Sequence, residues 1–188
     1  VTPGTDRLPP GQRVSRDWPV LHAGTIPRFS DATWGFRVFG LVEHPLRFTW
    51  REFQALPRVQ VVSDIHCVTT WSRFDNRWEG VASRELLRRA RAKSEARFVI
   101  VHAEQGYTTN LPLEALLDED VLFAHTHDGK PLAPEHGFPL RLVVPKRYFW
   151  KSAKWVRGME LTAEDRPGFW EVRGYNNNAD PRREERYW

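Results

Sequence analysis

A single cysteine, Cys67, occurs in the 188 residues. It lies in the stretch Ser63-Asp64-Ile65-His66-Cys67-Val68-Thr69-Thr70-Trp71-Ser72. A thiolate is a soft ligand suited to a soft or highly oxidised metal centre, and Cys67 reads as a ligand to a metal cofactor. The bland alternative is a small buried hydrophobe with no chemistry. One cysteine excludes an intramolecular disulfide and a multi-cysteine zinc or iron–sulfur site. The adjacent His66 raises a second chemistry, a thiol activated by a histidine base. If residues 65–67 are extended, neighbouring side chains point to opposite faces, and His66 is then badly placed to deprotonate the sulfur. His125 and His127 share one strand face, but two histidines without a third ligand make a poor metal site. They read as residues beside a surface turn.

Many short elements must position these groups. Residues 1–17 carry Pro3, Pro9, Pro10 and Gly11 with no hydrophobic period, and read as an N-terminal arm. The compact part, 18–188, reads as one domain, since this length supports one substantial core. Strands are expected over 34–42, 46–49, 58–65, 98–102, 121–124, 140–144, 159–162 and 169–172. Thr49 and Glu52 form a capping-box pattern for a helix over 50–56. Ser83 is the expected cap of a helix running to Ala90, and 113–117 reads as a short helix. Turns or loops are expected at 78–81, 106–110 and 127–130. Short strands with few helices and no regular βαβ alternation give a mainly β, mixed α+β class.

At 40% hydrophobic and 28% charged residues the composition is that of a soluble globular protein. No apolar run of membrane-spanning length is present. No basic and then apolar leader pattern opens the chain, so the expected location is cytoplasmic, or periplasmic if a signal peptide has been removed. The net charge of +4 is modest. Arg84 to Arg97 reads as a solvated face. Without a zinc-finger, RNP or helix-turn-helix pattern, no nucleic-acid partner is expected. Most of the nine tryptophans are expected in the core, with a few walling a pocket.

Two further stretches join the cysteine motif: His136-Gly137-Phe138-Pro139-Leu140-Arg141-Leu142-Val143-Val144-Pro145 and Lys151-Ser152-Ala153-Lys154-Trp155-Val156. In order and detail the three resemble the sulfite oxidase family of molybdenum enzymes. The resemblance is to the pterin-binding catalytic domain, and extends to small bacterial members without a haem domain and to the catalytic subunit of the periplasmic methionine-sulfoxide reductase. It runs from about Trp18 to about Asp180 and implies a sulfite oxidase-type fold. It also implies molybdenum held by the two dithiolene sulfurs of molybdopterin and one protein cysteine, Cys67.

The cofactor carries a phosphate, which needs forked donors, point cations and hydroxyl or backbone donors. His136, Arg141, Lys151, Ser152 and Lys154 supply these types. By resemblance His136 and Arg141 lie on the pterin or its phosphate, Ser152 and Lys154 in the phosphate-proximal loop, and Lys151 assists. His22 and His66 are further expected cofactor contacts, with Glu104 and Gln105 near the pterin. Tyr175 resembles the tyrosine facing the metal's oxo ligand, and Arg73 or Arg77 is the candidate for drawing in an anion. The implied activity is two-electron oxygen-atom transfer on a small oxyanion or sulfoxide. The electron partner is expected to be separate, a cytochrome or quinone-linked subunit. The alternative is a protein that holds or carries the cofactor without turnover.

Overall fold

The computed structural model describes residues 7–187. Its strands are β1 (Arg13–Val14), β2 (Gly35–Gly40), β3 (Leu46–Thr49), β4 (Val59–His66), β5 (Trp71–Ala82), β6 (Phe98–Ala103), β7 (Thr108–Pro112), β8 (Leu122–His127), β9 (Lys130–Pro131), β10 (Arg141–Val143) and β11 (Val156–Thr162). Two short helices, α1 (Trp50–Gln54) and α2 (Ser83–Ala90), complete the mixed α+β set with several 3₁₀ turns. One sheet runs β3-β2-β11-β6-β7. The other runs β1-β5-β8-β10, with β4 also on β5 and β9 on β8.

The core lies in two clusters. The larger includes Phe36, Phe53, Leu86, Val99, Val101, Phe123 and Met159, so it joins both sheets to the two helices. The smaller gathers Ile65, Cys67, Trp71, Trp78, Tyr148 and Trp150. The start of α1 follows local chemistry. Thr49 caps α1 through its hydroxyl, and Glu52 returns a carboxylate to the Thr49 backbone, as the capping box requires.

Four local expectations are corrected. Residues 78–81 are not a turn but the end of the twelve-residue β5. Gly80 is there because a Cβ would come within 2.0 Å of the Phe123 carbonyl oxygen, where a bulge brings β5 against β8. Residues 108–110 are not loop but the start of β7, paired with β6. Residues 169–172 form no strand; the chain turns there into a 3₁₀ turn, Glu171–Arg173, with Val172 exposed. Ser83 does not cap α2: Ala82 stands at the cap position, and the Ser83 hydroxyl donates inward to the Leu116 and Val121 carbonyls.

The described part of the arm, 7–17, runs along the β4–β5 hairpin. β1 pairs parallel with the start of β5, and Arg7 bridges Asp64 and Asp75. Residues 1–6 lie outside the described residues.

Gly80→Ala is expected to cost about 1–3 kcal/mol, because backbone rather than a flexible side chain must yield. Urea denaturation of wild type and variant measures it.

Candidate cofactor site

Cys67 opens the four-residue turn of the β4–β5 hairpin. The turn is tight: Thr70 N–H donates to the Cys67 carbonyl at 3.0 Å, and Cys67 N–H to the Trp71 carbonyl at 2.9 Å. Thr70 takes a left-handed conformation, φ 78°. The sulfur lies 3.1 Å from the Thr69 hydroxyl on the wall of a cavity of about 410 Å³. His22, Glu104, Gln105, Arg141, Ser152, Lys154, Trp71 and Tyr175 share that wall. Residues separated by more than a hundred positions in sequence thus meet in one space.

Arg141 dominates the electrostatics. It leaves β10 into the interior and is 1% exposed. Its Nη1 donates to the His136 carbonyl and its Nη2 to the Ser152 carbonyl, each at 2.8 Å. The guanidinium lies 4.2 Å from the Phe149 ring centroid. Among the described residues no carboxylate pairs with it. Burial pushes it down to about 9. Lys154 is pushed down to about 7, first by burial and then by Arg141. Its ammonium donates to the Glu135 carbonyl at 2.7 Å and lies 3.3 Å from His22 Nδ1. Gly137 permits this closeness, since a Cβ there would meet Arg141 Cβ at 3.0 Å and Lys154 Cβ at 3.3 Å. The Ser152 hydroxyl accepts the Val144 N–H at 2.9 Å, so it braces the loop.

Five sequence-predicted residues do not line the cavity. Lys151 is wholly buried and turned away, its ammonium 2.7 Å from Glu171 and 2.8 Å from the Asn110 carbonyl. Its charge is therefore already matched. Arg73 reaches across to Asp128 at 2.9 Å and contacts Asn76 and His127 on the face of the second sheet. These partners hold the guanidinium away from the cavity wall. Arg77 is not on the cavity wall either. His66 hydrogen-bonds Ser72 through Nδ1 at 2.8 Å, and burial pushes it down to about 4. His136 stacks on Trp18 at 3.8 Å and lends its carbonyl, rather than its ring, to Arg141. Its buried Nδ1 has no hydrogen-bond partner among the described residues.

Sequence reasoning missed most of the aromatic wall. Trp18, Tyr107, Phe149, Trp150, Trp155 and Trp170 line the cavity; the abundance of tryptophan was the one signal for it. Trp150 is fixed by its indole N–H, which donates to Glu171 at 3.0 Å. Tyr175 stacks on Trp170 and meets Trp150 edge-on, each at 4.9 Å. Burial raises its phenol.

This donor set fits a pterin with a phosphate. A guanidinium and an ammonium lacking carboxylate partners are ready for an anion, flat aromatic walls suit a heterocycle, and one thiolate donor faces the same space. Comparison with known proteins agrees. Residues 23–170 match the family described as the oxidoreductase molybdopterin binding domain. The chain belongs to that family and is a molybdopterin-dependent oxidoreductase of the sulfite oxidase type.

It is 51% identical over 182 residues to the uncharacterized oxidoreductase YuiH of Bacillus subtilis, covering 96% of this chain and 92% of that one. It is 30% identical over 166 residues to the protein-methionine-sulfoxide reductase catalytic subunit MsrP of Campylobacter jejuni, covering 76% of this chain and 54% of that one. The sulfane dehydrogenase SoxCD of Paracoccus pantotrophus superposes with a TM-score of 0.69 at 25% identity, covering 76% of this chain and 41% of that one. The chain thus spans about half the length of the two functionally named relatives.

Cofactor-free protein is expected to bind sulfate more tightly at pH 6 than at pH 8. Sulfate does not titrate in this range, whereas Lys154, pushed down to about 7, carries its proton at the lower pH and largely loses it at the higher. The sulfate-induced rise in Tm reads this, and in Lys154→Met the difference is expected to vanish.

Proposed function

We propose that the chain transfers an oxygen atom to or from a small neutral sulfur compound, a sulfoxide–thioether pair, rather than a sulfite-like oxyanion. The observation that carries this is the allocation of positive charge. The cations on the cavity wall are Arg141 and Lys154, the two that suit the cofactor phosphate. Lys151 and Arg73, which would serve an anionic substrate, are held by Glu171 and Asp128. What faces the remaining space near Cys67 is Trp71, Trp150, Trp170 and Tyr175. Aromatic faces favour a soft, polarisable thioether over a strongly hydrated anion.

The molybdenum–pterin group, when bound, supplies the two-electron redox chemistry and the site of oxygen exchange. Cys67 would ligate the metal and help set its potential. Arg141, Ser152 and Lys154 would hold the phosphate, and His22 the pterin. Tyr175, kept protonated by its partly buried setting, would donate a hydrogen bond to the substrate oxygen, while Trp150 and Trp170 exclude water and orient the carbon substituents. Electrons would pass to or from a separate redox protein. The relatives named as subunits of methionine-sulfoxide reductases support both parts of the reading. Among the described residues no helix is long and apolar enough to cross a membrane.

The test is purification from a host that makes molybdopterin, elemental analysis, and assay with a reduced viologen dye. About one molybdenum per chain is expected, lost in Cys67→Ser. Dialkyl sulfoxides should oxidise the dye, and sulfite should leave the enzyme unreduced. Trp170→Ala is expected to lower kcat/KM for sulfoxide by about tenfold, near 1.4 kcal/mol. Faster turnover of sulfite than of any sulfoxide would sink the neutral-substrate reading, and a metal that responds to neither would favour a carrier.

A further inference from the structure

The turn that carries Cys67 is gripped by side chains from outside the family segment 23–170. From the N-terminal side, Gln12 Nε2 donates to the Cys67 carbonyl at 3.0 Å and lies 3.4 Å from the Trp71 carbonyl. The backbone N–H groups of Arg13 and Ser15 donate to the Thr70 and Ser72 carbonyls at 2.8 and 2.7 Å. From the C-terminal side, Arg186 Nη1 donates to the Val68 carbonyl at 2.7 Å. Its Nη2 ties the two ends together, reaching the Pro10 carbonyl at 3.3 Å and Gln12 Oε1 at 3.4 Å. Arg186 is largely buried, packs over the Tyr148 ring at 5.0 Å, and has its nearest carboxylate, Glu184, at 3.8 Å.

We propose that Gln12 and Arg186 are positioning residues for the metal thiolate: a clasp of the two chain ends that sets the direction of the Cys67 sulfur. The inference rests on Cys67 being the metal ligand. The peptide planes at 66–67 and 67–68 determine where the Cα–Cβ bond of Cys67 points; Gln12 holds the carbonyl of the second, and Arg186 holds the next plane along the turn through the Val68 carbonyl. Within the turn, Thr70 N–H already serves the Cys67 carbonyl. The added Gln12 bond therefore restricts rotation more than it satisfies an empty acceptor, while Arg186 supplies the Val68 carbonyl with its donor. Metal–thiolate overlap depends on the torsion about the Cβ–S bond, so partners one step removed from a ligand tune the metal it holds.

Gln12→Leu and Arg186→Met remove the donors at similar volume, and Gln12→Leu leaves the arm's backbone pairing in place. Two readouts apart from turnover decide the matter: the Mo(V) electron paramagnetic resonance spectrum of the loaded enzyme, and the rate at which iodoacetamide alkylates Cys67 in metal-free protein well below its Tm. The expected result is shifted g-values and at least fivefold faster alkylation in both variants, with Arg186→Lys partly restoring each. Native spectra and alkylation rates in both variants, accompanied only by a lower Tm, overturn the clasp. An unchanged metal spectrum in Cys67→Ser overturns the premise instead, so the two failures are told apart.

Discussion

A guanidinium buried at the centre of the cavity wall, without a carboxylate, constrains much of what surrounds it. Taking a cation out of water costs several kcal/mol even after the protein relaxes. Arg141 recovers part of that through two carbonyl dipoles and an aromatic face. The carbonyls belong to His136 and Ser152, so the 3₁₀ turn before β10 and the loop after it are both tied to one side chain. Gly137 lets those segments approach. Lys154 is brought near enough to lose much of its basicity. Two cations held together in a low dielectric repel one another. The arrangement is stabilised by an anion between or beside them, which is what the family's cofactor brings.

Lys151 shows the opposite arrangement three residues away. It is as buried as Arg141, yet its charge is closed off by Glu171, whose Oε1 also accepts from Trp150 and Thr109. That network fixes the indole of Trp150 from behind while its ring faces the cavity. One basic segment thus contributes two kinds of structure: a cation left open for a ligand and a cation spent on holding a wall. Removing one partner of such a buried pair leaves an uncompensated charge, so the two positions would respond to substitution for different reasons.

The difference marks the limit of what could be read from the chain alone. Local signals were sound where the physics is local: the Thr49–Glu52 capping box, the apolar run that became β6, and the strand leading into Cys67. They failed where tertiary context rules. Gly80 reads as a turn residue, but its missing Cβ serves close packing between β5 and β8. Phe169-Trp170-Glu171-Val172 has strand composition, but its aromatics are used as cavity wall and its glutamate as a buried counter-ion. Basic residue types at 141, 151 and 154 pointed to an anion site. Their spacing could not reveal that Glu171 claims one of them, because that pairing joins distant segments. Arg73 misled for a related reason: nearness to Cys67 in sequence means little when Asp128 and His127, from a distant strand end, claim its guanidinium.

The same hairpin explains why a thiolate ligand needs support from so far away. A four-residue turn between two long strands fixes its ends well and its tip poorly, since the tip's peptide planes have few neighbours. Cys67 opens that turn, and its carbonyl belongs to the peptide plane that leads into the tip. Strand pairing from Val59↔Gly80 to His66↔Ser72 delivers the cysteine to the cavity, but pairing ends there. The aromatic walls cannot orient sulfur, because dispersion contacts are nearly indifferent to rotation about a bond. Directional control must come from hydrogen bonds: those of the turn itself, from the Thr69 hydroxyl and Thr70 N–H, are joined in this chain by those from Gln12 and Arg186. Charge placement then governs the cofactor, hydrogen bonds govern the ligand, and apolar surface governs what can approach. These three interactions fall off differently with distance and angle, so substitutions in each group should leave separable signatures.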